Sequence, residues 1–233
     1  TFNVISDIDR FKIVRKILDQ NRYEHLKTFN TPYYMALEIP RRLSDLKKEG
    51  VNEAEFKIMA ENILASWKEK KEVLEKGEKK VLKSKIVEEE KRVLKLVELS
   101  DFYTKYQTEL TKLKRYDFDD LINVTINTIE RNEDLALSLQ ERYQYLLVDE
   151  YQDTNSAQNR IIDILSSYWT KEGGNPNVFV VGDDDQSIYR FQGASLENIL
   201  YFKNKFPKAE SILLDTNYRS TQEIIDVARS VIK

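Results

Sequence analysis

The sequence has no cysteine, a single histidine (His25), and only six glycines and four prolines in 233 residues. Without thiols, disulfides and cysteine-ligated zinc are excluded, and one imidazole cannot build a histidine cluster. No apolar run approaches the roughly 20 residues a membrane-spanning helix requires. The opening TFNVISDIDR lacks the basic and apolar blocks of a secretory signal. A cytoplasmic, reducing setting is therefore expected. A marked positive charge is also missing: the net charge of −3 does not announce a nucleic-acid partner, although a local basic face is compatible with it.

What the chain does have is charge and length. Charged residues make up 33% and hydrophobic residues 41%, the balance of a globular protein with much surface helix. The length suits one large domain or two modest ones, and the sequence changes grammar near its middle. From Ile8 to about Lys114 it reads as helices joined by short turns. Ile86, Glu90, Val93, Leu94 and Val97 recur at spacings of three and four among Lys and Glu, the pattern of an amphipathic helix. Between Trp67 and Lys95, eleven Lys or Arg face seven Glu. That basic excess fits either a solvated helix face or a strip lying along a phosphate backbone.

After Tyr116, three short apolar runs appear: Tyr145–Val148, Val178–Val181 and Ile212–Leu214. Separated by helix-like stretches, they suit strands buried on both faces of a parallel sheet. Each run ends in acid or in glycine and acid, namely Asp149-Glu150, Gly182-Asp183 and Asp215. In open α/β sheets, that carboxyl edge is where ligands bind. Helix starts are expected at Asp117 with Asp120, at Thr154 or Asn155, and at Ser220 with Glu223. The class expected is α/β, with a helical region over 1–114 and an α/β region over 115–233.

Asp149 and Glu150 are adjacent carboxylates at such an edge. They could open a solvated turn and cap the next helix. Alternatively, one could hold Mg²⁺ while the other orients or deprotonates a water attacking a terminal phosphate. The surrounding residues are more specific. Asp149-Glu150-Tyr151-Gln152-Asp153-Thr154 is followed by Val181-Gly182-Asp183-Asp184-Asp185-Gln186-Ser187-Ile188-Tyr189-Arg190-Phe191-Gln192-Gly193-Ala194, and then by Leu214-Asp215-Thr216-Asn217-Tyr218-Arg219-Ser220-Thr221. In order and spacing these blocks resemble helicase motifs II, III and IV of the UvrD/Rep/PcrA-type superfamily 1 DNA helicases. Tyr116 to Ile122 is similar to that family's DFDDL segment, and Phe2 to Leu18 looks like the start of its 1B subdomain.

The resemblance implies a partial RecA-like P-loop NTPase parallel sheet (115–233, subdomain 1A) with an all-helical insertion (1–114, 1B-like). It implies ATP and Mg²⁺ as cofactors, single-stranded and duplex DNA as partners, and 3′→5′ unwinding in repair or replication restart. Residue by residue, Asp149 matches the Mg²⁺ ligand and Glu150 the general base. Gln186 matches the γ-phosphate sensor, Arg219 the γ-phosphate-contacting arginine and Tyr218 the ring that packs on adenine. Tyr189 and Phe191 match a segment that stacks on bases of the single strand. Many relatives carry Trp at the position of Phe191 and Arg at that of Gln192.

The family's glycine-rich phosphate loop, ending in Gly-Lys-Thr, has no counterpart in these residues. The same holds for the 2A and 2B domains. The chain therefore reads as a middle piece of such a motor, without measurable ATPase by itself. Loss of the loop-bearing strand would leave apolar edges around Val148 and Val180. Two other readings stand beside the motor: the helicase part of an AddA-like helicase-nuclease, and a module that binds DNA or a partner without hydrolysis.

Overall fold

Ser6 starts the first helix: its hydroxyl accepts the Asp9 N–H at 3.2 Å, capping α1 (Asp7–Gln20). The computed structural model describes residues 2–27, 33–76, 83–171, 173–183 and 196–232. Beyond α1, the described elements up to residue 142 are β1 (Asn3–Val4), α2 (Met35–Lys48), α3 (Glu53–Lys76), α4 (Lys83–Lys112), β2 (Arg115–Tyr116), α5 (Phe118–Glu130) and α6 (Glu133–Arg142). There follow β3 (Leu146–Val148), a 3-10 turn (Tyr151–Asp153), α7 (Ser156–Lys171), β4 (Val178–Val180), α8 (Leu196–Lys205) and α9 (Gln222–Ile232).

Contacts divide the chain into two compact units. One comprises Thr1–Ser138 with Ser156–Ile164, the other Leu139–Asn155 with Leu165–Lys233. The compactness boundary therefore lies later than the change of grammar near residue 114. The reason is a set of ties between α5 and the helical core. Lys47, at the end of α2 and 1% exposed, places its ammonium 2.6 Å from Asp117 and 2.7 Å from Asp120. Gln107 of α4 donates to Asp120 at 2.8 Å, Ser44 donates to Asp119 at 2.6 Å, and Asn123 donates to the Lys47 carbonyl at 2.9 Å. Asp117 and Asp120 also form the expected capping box of α5: each carboxylate accepts the other's backbone N–H, at 2.9 and 3.0 Å.

The core of this unit is built from α1, α2 and α4. Val14, Leu18, Leu26, Ile39 and Phe102 are fully buried within it. The helix expected around Ile86–Val97 is part of α4, with Val93 buried. In the basic stretch, Lys71 pairs with Glu90 across α3 and α4 at 2.8 Å. β1 and β2 pair in parallel, Asn3 with Arg115 and Val4 with Tyr116, a pairing across the whole helical region that no local pattern announces.

In the second unit, β3 and β4 pair in parallel, Leu146 with Val178 through Val148 with Val180. Two of the three expected strands therefore form, and the class is α/β with small parallel sheets. Two expectations are corrected. Ile212–Leu214 has no regular structure and its side chains are 75–85% exposed; among the described residues no neighbouring strand accepts its backbone hydrogen bonds, and an apolar run without a partner is not a strand. The β3–β4 pair is also not buried on both faces. Leu147 is 76% and Phe179 56% exposed, and being register partners they present one apolar face to water, whereas Val148 and Val180 are partly buried.

Candidate active site

Parallel register brings the ends of β3 and β4 level, so Asp149-Glu150 and Gly182-Asp183 emerge at one sheet edge. The ladder continues past both strands: the Val181 N–H donates to the Val148 carbonyl and the Tyr151 N–H to the Val181 carbonyl, each at 2.9 Å. Between these bonds the chain turns sharply. Glu150 sits at φ 49°, ψ 43°, the left-handed region, which costs a residue other than glycine about 1–3 kcal/mol and persists only where its surroundings enforce it.

Several bonds enforce it. The Glu150 N–H donates to its neighbour's carboxylate, Asp149 Oδ1, at 3.0 Å, and the Glu150 carbonyl accepts the Asp153 N–H at 2.9 Å. Thr154 closes the 3-10 turn by donating its hydroxyl to the Tyr151 carbonyl at 2.7 Å. From α8, the Asn198 amide donates to the Thr154 carbonyl at 2.5 Å and the Gln152 carbonyl at 3.3 Å. The buried Tyr151 ring meets Phe202 edge-on, with centroids 5.5 Å apart.

Gln152 was missed by reasoning from sequence. It is 1% exposed, and its amide donates to Glu150 Oε2 at 2.7 Å while its own Oε1 accepts the Asp183 N–H at 3.1 Å. One side chain thus ties the exposed Glu150 carboxylate to the end of the other strand. Gly182 permits this approach, because a Cβ there would lie 2.7 Å from Gln152 Oε1. The signal was present in the motif, two positions after Glu150, but its role becomes visible only with the left-handed turn that folds it back.

Asp149, Glu150 and Asp183 are open to solvent. Among the described residues no group of three or more acidic or histidine side chains could hold a metal by itself. This donor set fits Mg²⁺, which keeps several waters and is held by one or two carboxylates together with substrate phosphates. It does not fit a dedicated all-protein metal cage. Tyr218 and Arg219 lie in the irregular stretch between α8 and α9. Asn217 Oδ1 accepts the Arg219 and Ser220 N–H groups at 2.9 and 3.0 Å, and Tyr218 is 93% exposed. Among the described residues, no hydrogen bond or ion pair joins Tyr218 or Arg219 to Asp149 or Glu150. Gln186, Tyr189 and Phe191 lie outside the described residues.

Comparison with known proteins gives two findings. The family model of the UvrD/REP helicase N-terminal domain matches residues 1–207. The chain is 45% identical over 134 residues to the ATP-dependent DNA helicase PcrA of Leuconostoc citreum, covering 58% of this chain and 17% of that protein. It is 46% identical over 131 residues to the PcrA of Staphylococcus aureus strain Mu50, covering 56% and 17% respectively. The chain thus spans about a sixth of the length of the curated relatives it matches.

Proposed function

The chain belongs to the UvrD/REP helicase N-terminal domain family, and from that premise we propose that it supplies the water-activating half of an ATP-dependent DNA helicase motor. The observation that carries this reading is the forced turn at Glu150, a carboxylate fixed by Gln152 at a strand end beside Asp149. A carboxylate held in place beside a Mg²⁺ ligand is what phosphoryl transfer to water requires of a protein, since catalysis there is chiefly positioning and charge neutralisation. The relatives' printed names, ATP-dependent DNA helicase, favour the same reading.

In this mechanism Asp149 is the residue that would hold Mg²⁺. When bound, the ion neutralises charge on the phosphates. Glu150 accepts the proton of the attacking water. Gln186 reads the γ-phosphate by donating one hydrogen bond and accepting another, and Arg219 presents a planar cationic fork to the developing charge. Tyr218, with its ring exposed, stacks on adenine. Tyr189 and Phe191 stack on successive bases of the single strand, about 1–3 kcal/mol each, giving grip without sequence choice. Unwinding proceeds 3′→5′.

The test uses the product of the complete reading frame around residues 1–233. DNA-stimulated ATP hydrolysis is expected, and Glu150→Gln should lower its rate by about 10²–10⁴-fold, the usual contribution of a general base. A duplex with a 3′ tail should be unwound and one with a 5′ tail left intact. Wild-type turnover in Glu150→Gln would refute the assignment of the base, and preference for the 5′ tail the assignment of polarity.

A further inference from the structure

We propose that Gln152 is a positioning residue that sets the Glu150 carboxylate according to where the Gly182–Asp183 backbone lies, an inference that rests on Glu150 being the general base. Three observations carry it. Gln152 is buried, although both of the residues it joins are exposed. Its two ends serve different strands: Nε2 donates to Glu150 Oε2 at 2.7 Å and Oε1 accepts the Asp183 N–H at 3.1 Å. Gly182 is what admits the amide at this place, since a Cβ there would lie 2.7 Å from Oε1 and displace it.

A side chain needed only to stabilise the turn could bond the turn's own backbone. Thr154 and Asn198 already do so. Gln152 instead directs its only donor group at a carboxylate that water could solvate, and it uses its acceptor to fix its own orientation against β4. The amide therefore acts as a two-ended strut. Any displacement of the backbone after β4 moves Oε1, and Nε2 carries that displacement to Glu150. The strut therefore joins the base to the backbone at the end of β4.

Three single variants and one double variant of the complete protein test this. Gln152→Met removes both bonds. Gln152→Glu keeps an acceptor for the Asp183 N–H and removes the donor to Glu150. Gly182→Ala leaves Gln152 in place and displaces its amide. Each is expected to lower kcat for ATP by roughly ten- to a hundredfold, the scale of a misplacement of about 1 Å. KM for ATP should stay within about twofold, because no ATP contact is lost. Adding Gly182→Ala to Gln152→Met should cause no further loss, since both act through one strut. A folded Gln152→Glu with wild-type kcat would overturn the proposal. So would losses that multiply in the double variant, or losses confined to KM. Should Gln152→Met not fold, Gly182→Ala decides, and wild-type kcat there overturns the strut. Glu150→Gln run alongside separates the two readings: if it is active, the assignment of the base has failed; if it is inactive while the Gln152 variants turn over normally, only the strut has failed.

Discussion

Each of the two compact units departs at one place from the usual placement of polar and apolar groups. The helical unit encloses a charge: the Lys47 ammonium is 1% exposed, contacts Asp117 and Asp120, and lies 5.9 and 5.4 Å from the ring centroids of Tyr103 and Tyr106. The sheet unit buries the Gln152 amide and leaves Leu147 and Phe179 to water. In the first case burial is possible because the cation meets two carboxylates and lies near two rings, and an unpaired charge there would cost several kcal/mol. In the second, two strands provide one face more than their surroundings cover. Hydrophobic pattern therefore reports which residues can be buried, while the partners at hand decide which ones are.

The electrostatics of the lysine cluster show how finely the partners are balanced. For Asp117, burial dominates and pushes the carboxyl above its ordinary value, against the pull of Lys47. For Asp120, burial pushes the same way but is outweighed by the charge and hydrogen bond of Lys47, the Asp117 N–H and the Gln107 amide, so its carboxyl is held below the ordinary value.

The contrast can be broken most forcefully at Lys47. Lys47→Met leaves two buried carboxylates facing each other and is expected to cost about 3–5 kcal/mol in the urea transition of the helical unit, followed by far-UV circular dichroism. A loss under about 1 kcal/mol would show that the carboxylates find other partners. Next comes Leu43→Ala, at a residue 1% exposed in α2, for which about 2–5 kcal/mol is expected by the same measurement. The aspartates follow with opposite signs. The folded pKa of Asp120 lies below the unfolded value of about 3.8, so its contribution is complete above that pH and is lost as pH falls through the folded value. The folded pKa of Asp117 lies above 3.8, so its contribution is complete below 3.8 and is lost as pH rises through the folded value. At neutral pH, Asp120→Asn should therefore cost about 1–3 kcal/mol and flatten the acid loss of stability. Asp117→Asn should cost less and steepen it. Equal costs and parallel urea midpoints between pH about 2 and 7 would contradict the assignment.

How much of this was legible in the sequence depended on how far apart the partners lie in the chain. The capping box at Asp117 and Asp120 spans three positions and was readable directly, as was the helix through Val93. The strands at Leu146–Val148 and Val178–Val180 were readable from composition, with their ends within a residue of expectation. Lys47 was not, because its partners stand 70 positions away and a lysine at the end of a helix usually points to solvent. Nor was β1, two residues long, whose partner lies beyond the whole helical region. The third strand failed for the same reason in reverse: Ile212–Leu214 has the composition of a strand and no described neighbour. In the candidate site, Asp149 and Glu150 were legible as residues and as an edge, while the strut of Gln152 depends on a left-handed backbone at a glutamate, which side-chain pattern does not encode.

The smallest effect is expected where the sheet unit is most open. Leu147 projects from β3 beside Phe179, with only 24% of its surface covered by the rest of the chain. A leucine so exposed has little transfer energy to lose, and a lysine can lay its methylenes along the Phe179 ring while its ammonium stays in water. Leu147→Lys should therefore change the stability of the chain by less than about 0.5 kcal/mol, the range of ordinary surface substitutions. Paired with Leu43→Ala, it measures the same residue type in the two units, and the difference should approach the full transfer and cavity energy of a buried leucine. A loss above about 2 kcal/mol for Leu147→Lys would mean that the β3–β4 face is covered in solution, and the contrast between the units would then vanish.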